Sequence, residues 1–363
     1  MSNENDSSSL HQKVEKTEVK DMILNDYRIM MESREASLLG RREVLTGKAK
    51  FGIFGDGKEL AQLCLAKQFM DGDFRSGYYR DQTIMLALGE VTLQEYYAQL
   101  FSDTNLENEP HSAGRQMNCH YGTRFINDDG TWKDMTKIKI TTTDLSPTAA
   151  QMPRIIGLGL ASKLFRRDKN LHQFTTLSNN GNEIVFGTIG DGSTSEGIFL
   201  EAINAMGVLQ IPVVMSVWDD GHAISVPVEK QTTKGSISEA LKGFAKENDS
   251  NGIEILKARG WNYPELCAVY DKAAKKARKT HTPVLVHVVE LTQPQGHSTS
   301  GSHERYKSKK RLDWEKEYDC TVQFKKWILK NSWASEEELD QVHKMTKKTV
   351  REAKNIAWQN YIT

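Results

Sequence analysis

Two short acidic turns carry the chemistry this sequence can offer. Asp191 sits in Gly190-Asp191-Gly192, and Asp220 sits in Asp219-Asp220-Gly221-His222. A helix N-terminus flanked by glycines attracts phosphate through its free N–H groups. A carboxylate inside that turn repels a bare phosphate, and a second one beside it adds to the repulsion. A hard divalent cation removes the conflict, because magnesium takes oxygen ligands and commonly bridges one or two carboxylates to substrate phosphates. A dinucleotide fits less well. The G-x-G-x-x-G pattern requires glycine where Ser195 stands, and an uncharged turn is expected against the pyrophosphate. Gly-Asp-Gly alone would also fit a βα turn whose aspartate merely caps a helix. The second acidic turn tips the choice towards a ligand site.

The elements that must bring the two turns together run from Glu183 to Pro227. Glu183–Ile189 is a short apolar run rich in β-branched residues, as a buried parallel strand should be. Ser193 to Glu196 has the S-x-x-E form of a capping box, which predicts a helix start. Ile198, Phe199, Ala202, Ile203, Met206 and Leu209 fall on one helical face. Pro212 ends that helix, and Val213–Trp218 reads as a second buried strand. The unit has the length of one βαβ crossover, roughly 30 residues. Ligands bind just beyond the carboxyl ends of such strands, which is where both turns lie.

Gly190-Asp191-Gly192, followed at position 220 by the acidic residue of a D/N-D/N-G turn, resembles the thiamine-diphosphate signature. GRQMNCHYG (Gly114–Gly122), LSPTAAQMP (Leu145–Pro153), GDGSTSEG (Gly190–Gly197), DDGHAISVP (Asp219–Pro227) and GHSTS (Gly296–Ser300) together resemble the α subunit of branched-chain 2-oxoacid dehydrogenase. They occur in the family's order and cover roughly residues 20–310, which makes the match specific. The resemblance implies an α/β thiamine-diphosphate-binding fold, with a mostly parallel central sheet flanked by helices on both faces. It implies a single such domain over residues 19–363, with helical N- and C-terminal extensions.

The resemblance also assigns residues. Magnesium would be held by Asp191, Asp220 and the backbone oxygen of His222. The family usually has asparagine at position 220, so the aspartate adds a charge that strengthens magnesium binding and weakens diphosphate attraction. Asp220→Asn is therefore expected to retain activity. Tyr79 and Arg80 would reach the cofactor diphosphate, a guanidinium fork matching phosphate oxygens at two points. Ser146 and Thr148 belong to the stretch that cups the aminopyrimidine ring. Gly190, Gly192 and Ser193 complete the cofactor turn. His120 would face the substrate, and His297 would approach the diphosphate and the reactive carbon. Both histidines suit proton transfer near neutral pH. Leu145 and Ala150 replace hydroxyl-bearing residues, which speaks against the potassium ion held hereabouts in some relatives. Ser298 and Ser300 stand where animal relatives are phosphorylated.

The implied reaction is oxidative decarboxylation of a branched-chain 2-oxoacid, with the acyl unit passing to a lipoyl group on a partner acyltransferase. Cofactor activation needs a glutamate, which a β subunit or fused β portion supplies in relatives, so an α2β2 assembly or its fused equivalent is expected. A pyruvate or acetoin dehydrogenase α subunit, and a non-catalytic scaffold partner of an active β chain, are the alternatives. The joint presence of Asp191, Asp220, Arg80 and His297 argues against the scaffold.

The totals agree. Lysine plus arginine equals aspartate plus glutamate at 48 each, which gives no electrostatic reason to expect nucleic acid or an acidic membrane. No apolar run reaches the ~20 residues that a membrane span needs. The first residues, MSNENDSSSLHQKVEK, lack an apolar signal core and are acidic where a mitochondrial presequence is basic, so a cytoplasmic location is expected. Cys64, Cys119, Cys267 and Cys320 form no C-x-x-C pair and read as buried free thiols.

Along the chain, residues 1–18 are polar and predicted to be disordered, and a helix is predicted from Asp21 to about Thr46. Phe51–Gly57 reads as a tight packing turn and Lys58–Met70 as a helix. Thr92-Leu-Gln-Glu95 and Ser335–Glu338 are capping boxes. Residues 103–143 lack periodicity. Pro153–Phe165 and Tyr263–Lys279 are predicted helices, and Pro283–Leu291 is a third buried strand whose end joins the cleft. His287, within that strand, reads as a packed core residue. The tail from about Leu312 is helical.

Overall fold

The computed structural model describes the backbone of residues 4–363 and the side chains of residues 16–363. The expected βαβ unit is present. β3 (Val185–Gly190) leads through α6 (Gly197–Leu209) to β4 (Val213–Trp218), and every residue of both strands is buried. Around them stand β1 (Phe74–Ser76), β2 (Ile140–Thr141), β7 (Glu254–Arg259) and β8 (Val284–Val289), while β5 (His222–Ala223) and β6 (Val226–Pro227) form a separate small antiparallel pair. The six-stranded sheet has the order β2-β1-β3-β4-β8-β7 and all its pairings are parallel.

Strand periodicity sorts the core into two layers. Phe186, Val214, Val286 and Trp218 point to a face covered by α1 (Glu4–Leu45), α2 (Glu59–Ala66), α8 (Tyr263–Thr280) and α10 (Cys320–Lys330). Val185, Ile189, Val213 and Met215 point to the other face, against α5 (Met152–Arg167), α6 and α7 (Ile237–Ala240). Each such fully buried aliphatic side chain contributes about 1.5–3 kcal/mol. The sheet is thus flanked by helices on both faces. A third cluster joins α1, α3 (Gln82–Leu88), α4 (Leu93–Phe101) and α11 (Glu336–Ile362) through Tyr97, Phe101, Val350 and Ala357. α9 (Lys309–Glu317) precedes α10.

Register places the strand ends side by side. Gly190 pairs with Trp218, and Trp218 pairs with Val288. The connection from β1 runs outward to β2, whereas that from β3 runs the other way to β4. The chain therefore reverses direction between β1 and β3, the kind of switch point where α/β sheets bind ligands.

Several local expectations change. The backbone is helical from Glu4, inside the stretch 1–18 expected to be disordered, and residues 1–3 lie outside the described residues. A helix anchored by downstream packing propagates readily through Glu- and Lys-rich sequence, because nucleation is the costly step. Ser193–Glu196 is not a capping box: Gly192–Ser195 forms a 3₁₀ turn, and Glu196 is the N-cap of α6 with no side-chain capping bond. The Thr194 hydroxyl donates to the Asp191 carbonyl at 2.6 Å, which tightens the turn and delays the helix. The capping boxes at Thr92 and Ser335 are both formed. β7 carried no prediction; it is an edge strand, mostly half-exposed, whose Glu-Ile-Leu-Lys-Ala-Arg sequence lacks a clear alternation.

Candidate functional site

At the ends of β1, β3, β4 and β8 lies a cavity of about 280 Å³. Tyr79, Arg80, Thr148, Gly190, Asp191, Gly192, Ser193, Asp220, His222 and His297 all line it, together with Tyr78, Ala223, Ile224 and Gln293. Ten of the residues named from the sequence therefore meet in one place. Ser146 and His120 do not line it. His120 is buried; its Nδ1 donates to the Asn118 carbonyl at 3.2 Å, and its Nε2 lies 3.0 Å from the Ser146 hydroxyl.

A buried ion network fixes the loop after β1. Arg75 is fully buried and donates to Asp81 at 2.8 Å and to Asp144 at 3.0 Å. Asp81 also accepts from the Tyr78 amide at 3.2 Å and from the Trp218 indole at 3.2 Å. Asp144 accepts from the Tyr121 amide at 3.0 Å. One cluster thus ties β1, β4 and the 118–122 loop to the cavity rim. Arg80 follows, buried, with Nη1 donating to the Phe54 carbonyl at 2.6 Å.

The turn after β3 needs its glycines for space. A Cβ on Gly190 would lie 3.2 Å from the Tyr78 ring, and one on Gly192 would lie 2.4 Å from the Ala223 Cβ. Asp191 makes no side-chain capping bond, so the capping alternative fails. Burial, then the charges of Asp220 and Asp219, push its carboxyl well above the usual carboxylate range, and Lys58 offsets only part of this.

The acidic turn after β4 divides its two carboxylates. Asp219 turns to His287, whose Nε2 lies 2.8 Å from Oδ2, and Asp219 also accepts from the Gly221 amide at 2.8 Å. His287 is buried as expected, but it is more than packing: its Nδ1 lies 3.0 Å from the Ser238 hydroxyl. His287→Leu is expected to lower stability by about 1–3 kcal/mol by stranding Asp219. Urea unfolding checks this, and His287→Gln should lose less. Asp220 faces the cavity instead. Its Oδ2 accepts from Lys58 Nζ at 2.8 Å and its Oδ1 from the His222 amide at 3.2 Å. Burial alone would raise its pKa; Lys58, then Lys307 and Arg80, more than offset this and hold it below the usual range.

Lys58 was missed. It is 1% exposed and reaches the site because Phe51–Gly57 is, as expected, a packing turn. Gly57 has φ +90°, and a Cβ there would lie 2.0 Å from the Thr292 carbonyl oxygen. The sequence held no local signal for it: the burial of every residue of α2, which makes a lysine at its start need a partner, is visible only in the fold. The pairing also revises the expectation for Asp220→Asn, which would now leave Lys58 buried without its carboxylate.

His297 departs from the near-neutral expectation. Burial, then Arg80, lower its pKa to about 4. Its Nδ1 accepts from the Thr299 amide at 3.2 Å, so in the neutral ring the proton sits on Nε2. His281, far from the site, is likewise lowered to about 4 by burial and Arg166. An unfolded chain would protonate both near 6.5. Their contribution to stability is thus present above pH 6.5 and lost as pH falls towards 4. Thermal midpoints are expected to drop across that window, and His281→Gln should flatten part of the drop.

Among the described residues, no cluster of three or more His, Cys, Asp or Glu side chains is arranged to hold a metal. The dehydrogenase E1 component family model matches residues 27–362. The chain belongs to that family. Its relatives within the E1 family include 2-oxoisovalerate dehydrogenase subunit alpha of Bacillus subtilis (strain 168), 26% identical over 341 residues, 92% of this chain and 90% of that protein. A second is the mitochondrial 2-oxoisovalerate dehydrogenase subunit alpha 1 of Arabidopsis thaliana, 27% identical over 309 residues, 85% of this chain and 57% of that protein. A pyruvate dehydrogenase E1 component subunit alpha of Rickettsia bellii (strain RML369-C) is 28% identical over 204 residues, 56% of each. The chain thus spans most of the Bacillus relative but just over half the length of the other two.

Proposed function

We propose that this chain is the α portion of a thiamine-diphosphate-dependent 2-oxoacid dehydrogenase acting on branched-chain 2-oxoacids. The observation that carries the reading is the single cavity in which Asp191 and Asp220 face Arg80 and His297. The cofactor fits the residues present. A buried carboxyl at Asp191 forced towards its neutral form is relieved by a cation, and Arg80 supplies a fixed positive charge for a diphosphate. Asp191, Asp220 and the His222 backbone oxygen would hold Mg²⁺. Tyr79, Arg80, Thr148, Ser193 and His297 would line the cofactor, with Ser146 and His120 beside it. When bound, the cofactor would supply a nucleophilic carbon and an electron-accepting ring for decarboxylation of the oxoacid.

The chain's own residues position and screen. Arg80 is held by the Phe54 carbonyl, so its charge is preorganised. His297 keeps its proton on Nε2, and the negative charge of a nearby diphosphate would raise its pKa from about 4. His120, oriented by Asn118, would present Nε2 towards the substrate side through Ser146.

A β subunit or fused β portion would supply the activating glutamate, and a lipoyl-bearing acyltransferase would accept the acyl group. An α2β2 assembly in the cytoplasm is part of the same proposal; no described helix is long and apolar enough to cross a membrane. The preference for branched-chain substrates rests on GRQMNCHYG and on the 2-oxoisovalerate dehydrogenase relatives, whereas the pyruvate relative matches over a shorter stretch. Turnover with a panel of 2-oxoacids, using α and β chains co-expressed, tests this. Branched substrates should lead; pyruvate leading would favour the second reading, and no turnover with any would favour a scaffold.

A further inference from the structure

We propose that Lys58 is a positioning residue. Its ammonium is a fixed countercharge that keeps Asp220 in place beside Asp191 and sets how tightly the pair holds a divalent cation. The cation half of this rests on the proposed function; the pairing itself does not.

A buried lysine and a buried aspartate at 2.8 Å are each strongly disfavoured alone. The contact is built from both sides. On the lysine side, Gly57 is pressed against the Thr292 carbonyl, Lys58 Nζ lies 3.3 Å from the same oxygen, and Asp56 accepts from the Gln295 amide at 3.0 Å. These contacts tie the loop to the 292–295 segment. On the aspartate side, Arg311 Nη2 donates to the Asp220 carbonyl at 2.8 Å. Asp191 receives no such partner from Lys58 and is left to the cavity. With Asp191 ionised by a bound cation, the three groups would carry one net negative charge, as an aspartate–asparagine pair would. A second aspartate is thus tolerated without doubling the charge that a cation and a diphosphate must share. Deleting the lysine would leave two adjacent carboxylates, which attract a cation more strongly and a diphosphate less.

The test uses the α chain co-expressed with its β chain in four forms: wild type, Lys58→Met, Asp220→Asn and the double variant. Thermal midpoints are measured without ligand, and Mg²⁺ affinity by calorimetry with thiamine diphosphate present. Each single variant should lower the midpoint by about 3 °C or more, and the double variant should recover most of the loss. Lys58→Met should bind Mg²⁺ about tenfold more tightly and Asp220→Asn about tenfold more weakly, with the double variant near wild type. A merely structural lysine would give weaker or unchanged affinity in Lys58→Met, and that result overturns the proposal, as do additive midpoints. If Lys58→Met fails to fold, the double variant must still be more stable than Asp220→Asn; if it is not, the pairing is refuted. Wild type showing no Mg²⁺-dependent heat would sink the functional reading and the cation half together, while the thermal cycle would still decide the pairing.

Discussion

Asp191→Ala is expected to abolish magnesium-dependent binding of thiamine diphosphate and, with it, turnover of any 2-oxoacid. The residue occupies a turn in which Gly192 admits no side chain and Gly190 is tightly packed, and its carboxyl is buried beside two others. Loss of an outer-sphere partner alone typically weakens metal binding by about 10–100-fold, so removing the proposed direct ligand should exceed about a hundredfold. Relief of like-charge repulsion should also leave the ligand-free chain as stable as wild type, or more so. Calorimetry of cofactor binding, paired with thermal unfolding, separates the two effects. A variant that is destabilised but still binds the cofactor would mean that Asp191 is structural.

Arg75→Met should be the most damaging change to stability. The guanidinium is fully buried and satisfies both Asp81 and Asp144. Removing one partner from a buried ionic cluster costs about 3–5 kcal/mol, because charges are left without compensation. Here two carboxylates would be stranded, and total stabilities lie near about 5–15 kcal/mol. The variant is expected to be largely unfolded or strongly aggregation-prone at 37 °C, well before any question of activity arises. Because Asp81 also holds the Tyr78 amide, whatever folded protein remains should bind the cofactor poorly. Circular dichroism melts check the first expectation. A midpoint within 2–3 °C of wild type, about 2 kcal/mol for a chain of this length, would show that the cluster contributes less than a buried ionic cluster should.

The central βαβ unit could be read from sequence because its signals are local. Buried parallel strands are continuous apolar runs, and the acidic turns at their ends stand out against them. Tyr79, Arg80, Thr148 and His297 entered the site through resemblance, since a surface arginine over an aromatic ring would look the same in one sequence. What stayed hidden depends on pairings between distant segments. Lys58 and Asp220 are 162 positions apart, and nothing local tells that a lysine opening a helix will turn inward to a carboxylate. His287 likewise looked like core because its partner, Asp219, lies in the turn after the neighbouring strand. The S-x-x-E pattern at Ser193 misled for a different reason. Thr194 bonds back to the Asp191 carbonyl, and the tight turn this makes overrides the cap that the pattern offers. In β7, edge position relaxes the need for apolar residues, so the alternation that marks a strand is weak.

Anomalous diffraction from crystals of the α–β complex grown with Mn²⁺ and thiamine diphosphate tests the central claim most directly. The expected result is one ion within about 2–2.3 Å of carboxylate oxygens from both Asp191 and Asp220, with the diphosphate against it and Arg80 alongside. Cofactor bound in the cavity with no ion between those two side chains, or an ion held elsewhere, would contradict it.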